Sequence, residues 1–115
     1  MMQILALGIA MAVALAGAAF AHSRSTQTMP ADGATVAAVD TIEMRFDGPM
    51  RITAVKLLRG GDEIAVEREG GMEPITELRA VPASSLDPGA YSFEWRGLSD
   101  DGHPMQGSFG FTVSE

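Results

Sequence analysis

Two stretches near the end of the chain set its pattern. In Ala90-Tyr91-Ser92-Phe93-Glu94-Trp95 the aromatic residues fall on every second position. Ser108-Phe109-Gly110-Phe111-Thr112-Val113 repeats the rhythm with Phe109, Phe111 and Val113. A period of two marks a strand with one face buried and one face wet. Aromatic side chains bury about 150–250 Å² each, so these two strands are expected to anchor the core. Thr41 to Phe46 alternates as cleanly, with Ile42, Met44 and Phe46 against Glu43 and Arg45. Weaker runs occupy Ser25 to Met29, Ile52 to Leu58, Glu63 to Glu67 and Ile75 to Val81. Turn signals separate them: Pro30-Ala31-Asp32-Gly33, Asp47-Gly48-Pro49, Gly60-Gly61-Asp62, Gly70-Gly71 and Leu86-Asp87-Pro88-Gly89. No long run has a helical period. The pattern predicts an all-β domain, a seven-stranded antiparallel β-sandwich of immunoglobulin-like type.

The first 21 residues stand apart. They hold no charged side chain, and the 17 residues from Ile4 to Phe20 are almost wholly apolar and lead into Ala19-Phe20-Ala21. An apolar stretch followed by an A-x-A pattern has the form of a cleaved secretory signal peptide. An uncleaved anchor is the competing reading, and 17 residues sit at the short end of a bilayer span. Cleavage removes 21 of the 115 residues and leaves 94, a domain from 22 to 115 that begins at His22. The expected fate is export from the cytoplasm.

Charge and cysteine content narrow the function. All 15 acidic and 8 basic side chains lie after the leader, for a net charge of −7. That balance argues against nucleic acid, whose phosphates require Lys and Arg. There is no cysteine, so disulfides, thiolate metal sites and thiol catalysis are excluded. Ser84 and Ser85 lack the surroundings of a nucleophile, and no glycine-rich phosphate loop is present. No enzymatic constellation of the usual kinds is found.

The chain has two histidines, His22 and His103. Processing after Ala21 gives His22 a free α-amine, and the amine with Nδ1 can chelate one metal ion. If successive strands alternate direction, the start of the chain, the Asp47 turn and the loop Asp101-Gly102-His103 share one pole of the sandwich. His103 then supplies a third nitrogen, a histidine brace, and Asp101 an oxygen. Such a tetragonal nitrogen and oxygen set favours Cu(II). Read separately, His22 is an ordinary surface residue and Asp101-Gly102-His103 an ordinary turn. Asp100 is read as solvated. Met44 is read as core, and no methionine cluster suited to Cu(I) is found, although Met50 and Met105 fall near the same pole.

These residues resemble the CopC-like periplasmic copper-binding proteins. The likeness rests on His22, on Thr28-Met29-Pro30-Ala31-Asp32-Gly33-Ala34, on Ile42-Glu43-Met44-Arg45-Phe46 and above all on the run Tyr91 to Gly107. That run is similar to the family signature Y-x-V-x-W-R-x-x-S-x-D-G-H-P-x-x-G. The resemblance implies a periplasmic, Greek-key β-sandwich or barrel holding one Cu(II) ion through His22, Asp101 and His103. It implies copper sequestration, resistance or delivery, with a CopD-like inner-membrane copper transporter as partner. Some relatives place a glutamate near the copper where this chain has Gly48, which leaves Asp47, one residue earlier, as a weaker candidate ligand. The methionine-rich loop of relatives with a Cu(I) site is missing. A monomer is expected, with no membrane contact after cleavage. Two rival functions are a histidine-brace oxidase or monooxygenase and a metal-free immunoglobulin-like interaction module.

Overall fold

The computed structural model describes residues 25–115. Eight strands and no helix occur among the described residues: β1 (Ser25–Met29), β2 (Ala34–Val36), β3 (Ile42–Arg59), β4 (Asp62–Ile64), β5 (Val66–Arg68), β6 (Ile75–Pro82), β7 (Gly89–Ser99) and β8 (Pro104–Val113). They form a curled sheet whose main path runs β2-β8-β7-β3-β6-β5, with β1 and β4 also paired to β3. The fold is the all-β sandwich that the alternation predicts.

The layers are joined by strands that the sequence pattern divides differently. Asp47-Gly48-Pro49 does not end a strand. β3 continues through it for 18 residues. Its first part, Ile42 to Arg45, pairs with β6, and its second, Met50 to Arg59, pairs with β7. The register shift between Arg45 and Met50 is an irregularity of the bulge kind, which bends a strand and re-aims it. A second shift lies between Ile52 and Ala54. It changes the buried phase from Met50 and Ile52 to Val55 and Leu57, keeping apolar residues inward after the bend. The expected strand Glu63 to Glu67 is likewise split at Ala65: β4 pairs with β3 and β5 pairs with β6. The short strand β2 runs parallel to β8, with Ala34 opposite Phe111 and Val36 opposite Val113.

β7 is the central element. Tyr91, Phe93, Trp95, Gly97 and Ser99 alternate inward along its length. Phe93 is fully buried and its ring centroid lies 5.6 Å from that of Phe109. Phe46 meets Trp95 edge to face at 5.1 Å, joining the first part of β3 to β7. The Tyr91 hydroxyl donates to the Asp87 carbonyl at 2.6 Å and pins the turn before β7. Gly97 is required by close approach: a Cβ there would lie 2.8 Å from the Arg51 carbonyl oxygen. Met50 and Met44 belong to the core, and Met105 packs against it half-buried.

Truncating Phe93 to alanine removes the ring at the centre of this packing and is expected to cost about 3–5 kcal/mol in urea unfolding. Met29→Ser, at a side chain 57% exposed, should stay within about 0.5 kcal/mol of the parent.

Candidate metal centre

The hairpin between β7 and β8 holds the candidate residues Asp101 and His103. Its shape follows from Gly102, whose φ of 86° lies in the left-handed region that other residues enter at a cost. The Gly102 N–H donates to the Ser99 carbonyl at 2.8 Å, and the Ser99 N–H donates to the His103 carbonyl at 2.9 Å. This is a turn followed by a left-handed glycine, a tight way to reverse a strand pair. It places Asp101 and His103 at the tip, with both side chains 62% exposed.

Asp101 and His103 are held together. His103 Nδ1 lies 2.8 Å from Asp101 Oδ2. The Ser99 hydroxyl donates to Asp101 Oδ1 and accepts the His103 N–H at 3.1 Å. The Ser99 bond, followed by the contacts with His103, holds the Asp101 carboxyl below its ordinary range. An ionised carboxylate only accepts hydrogen bonds. In metal-free protein Nδ1 therefore donates its proton to Asp101; with that proton displaced, Nδ1 and Oδ2 face one another as neighbouring donors to a single ion. A carboxylate also offers about four lone-pair positions, so Asp101 retains capacity to supply an oxygen itself. The residues present fit a hard-to-borderline divalent ion with nitrogen and oxygen preferences.

The other sequence candidates fall differently. His22 lies outside the described residues. Asp47 is exposed in the bulge of β3. Phe46, just before it, pairs with Ser25 at the start of β1, and Met50, three residues after it, pairs with Ser99 at the end of β7. The bulge thus bridges the beginning of the described chain and the hairpin of Asp101 and His103. Among the described residues no group of three or more His, Asp or Glu side chains that could hold a metal ion is assembled. Asp100 is exposed, in keeping with its reading as solvated. Met50 is fully buried against Gly97 and serves packing. Sequence reasoning missed Ser99, although its inward parity on β7 and its position two residues before Asp101 both marked it.

The chain matches the CopC domain family model over residues 25–114. It belongs to the CopC family. Copper resistance protein C of Xanthomonas campestris pv. juglandis is 34% identical, with 91% of each chain covered. Copper resistance protein C of Pseudomonas syringae pv. tomato is 33% identical over 81% of each. Among solved structures, PcoC, a methionine-rich copper resistance protein from Escherichia coli, superposes with a TM-score of 0.69 at 28% identity, covering 82% of this chain and all of that one. CopC from Methylosinus trichosporium OB3b gives 0.66 at 26%, covering 81% of this chain and 94% of that one. The CopC-family sandwich thus agrees with the resemblance carried by the Tyr91 to Gly107 run.

The depressed Asp101 carboxyl has a definite sign. The carboxylate's contribution to holding the loop is fully present above the ordinary aspartate value of about 3.9 and is lost as pH falls through the lower folded value. A carbon-detected NMR titration of metal-free protein should give Asp101 a midpoint below about 3.9, and Ser99→Ala should raise it. A midpoint at or above the ordinary value would contradict the bonding described.

Proposed function

We propose that this CopC-family chain is an exported, non-enzymatic periplasmic protein that binds one Cu(II) ion. Its first 21 residues act as a cleaved secretory signal, and the mature domain starts at His22. The α-amine and Nδ1 of His22, the imidazole of His103 and an oxygen of Asp101 form the donor set. The observation that carries this reading is the Asp101–His103 pair, oriented by Ser99, at the end of the sandwich where β1 begins. Three nitrogens and an oxygen suit Cu(II), which also stands highest among the divalent first-row ions for such ligands. The net charge of −7 favours cations in a general way. The copper resistance names of the relatives support copper as the cargo.

The protein acts as a monomer that sequesters copper, or hands it to a CopD-like inner-membrane transporter. Handing over a cargo is served by ligands at an exposed hairpin tip, which a partner can reach without unfolding the core. Asp101, as a further donor beside the three nitrogens, disfavours an oxidase or monooxygenase role that needs open positions on the metal.

Copper titration distinguishes the site from adventitious binding. Mature protein beginning at His22 should bind Cu(II) roughly 100-fold more tightly than the same protein with one extra N-terminal residue, a difference of about 2.8 kcal/mol. Equal affinity would remove the amine from the site.

A further inference from the structure

We infer that Ser99 is the positioning residue of the metal centre: its buried hydroxyl presets Asp101 and His103 in the arrangement that receives the ion. The inference rests on the copper reading above and adds to it a residue that touches no metal.

Ser99 is the last inward-facing position of β7, after Tyr91, Phe93, Trp95 and Gly97. It is 7% exposed, and it is the buried polar residue among the described positions of the core. Its Cα partner across the sheet is the fully buried Met50. The hydroxyl therefore works from beneath the loop, on a floor fixed by apolar packing. Low polarity around such a group strengthens its hydrogen bonds.

One oxygen atom does two tasks there. It donates to Asp101 Oδ1 and accepts from the His103 N–H. The backbone of the same residue clamps Gly102 and His103 through its carbonyl and its N–H. The donated bond fixes one carboxylate oxygen, so the other is aimed at His103 Nδ1. The accepted bond fixes the backbone from which the imidazole projects. Without the hydroxyl, Asp101 is free to rotate and the His103 N–H loses its partner, yet the turn defined by Gly102 remains. Ser99 thereby couples the rigid strand to the two ligating groups. Holding ligands in place before the ion arrives removes the ordering cost from the binding step. Groups one step removed from a metal typically change its affinity by about 10–100-fold.

The test compares full-length mature protein with Ser99→Ala, Ser99→Thr, Ser99→Val and Asp100→Asn. Competitive Cu(II) titration and electron paramagnetic resonance read the metal site. Amide hydrogen exchange at His103 in metal-free protein reads the loop without copper. Threonine and valine have nearly the same shape and differ in the hydroxyl, so this pair separates the hydrogen bonds from packing and from failure to fold. The expected result is a 10–100-fold loss of affinity in Ser99→Ala and Ser99→Val, an altered copper spectrum and faster His103 exchange, with all three kept in Ser99→Thr and Asp100→Asn. Parent-like affinity and spectrum in Ser99→Ala, or losses in Ser99→Thr equal to those in Ser99→Val, overturn the role of Ser99 while leaving the copper site standing. Failure of the unsubstituted mature protein to bind Cu(II) overturns both.

Discussion

A single continuous strand, β3, belongs to both layers of the sandwich, and the other features of the molecule depend on how it bends. Its first part lies between β1 and β6, and its second lies beside β7. The bulged stretch containing Asp47 makes the passage. Within four residues, β3 goes from pairing with the start of β1 at Phe46 to pairing with the end of β7 at Met50. The contact of Phe46 with Trp95 then ties the two parts through the core. The second shift, around Thr53, restores inward phase to Val55 and Leu57. A strand that ended at Asp47 would leave the position of the β7–β8 hairpin relative to β1 to loops alone. Continuous β3 makes it a property of hydrogen-bond register, which is far stiffer.

The alternating strands were legible because each has one wet face. β7 and β8 read directly from their aromatic rhythm, and the inward row of β7 continues without interruption to Ser99. The bend in β3 was not legible. Gly48 and Pro49 weaken strand pairing wherever they occur, and the same residues serve a turn or a bulge. β2 was hidden for a different reason. Ala34, Thr35 and Val36 are too few to show a period, and their partner is the distant β8, in parallel register. The split of β4 from β5 at Ala65 depends on which neighbour each half finds, a tertiary choice that local pattern does not encode. At the site, Asp101-Gly102-His103 stood out by residue type. The glycine at positive φ and the pairing of carboxylate with imidazole confirm the hairpin and the proximity of those two side chains. Ser99 lacked an obvious chemical signature, since serine near a turn is common. Its meaning came from burial. The His22 half of the proposed donor set depends on processing of the leader, an event that sequence pattern anticipates and the described residues do not include.

The scaffold and the site divide their physical work. Apolar packing of Phe93, Leu57, Ile52 and their neighbours supplies a rigid floor with no disulfide. Above it, the exposed hairpin tip carries two groups whose relation is set by hydrogen bonds. Ser99 is the contact between these regimes: a strand residue by position and a loop residue by bonding. This arrangement lets the Asp101 and His103 side chains stay open to solvent while their geometry is inherited from the core.

The central claim is that a processed N-terminal histidine and the hairpin histidine bind one copper ion together. Electron nuclear double resonance on copper-loaded mature protein, with 15N confined to histidine imidazoles, tests it most directly. The account predicts couplings from two 15N imidazoles and one unlabelled amine nitrogen on the same Cu(II) centre. Coupling to a single imidazole, or none to an amine, would contradict it.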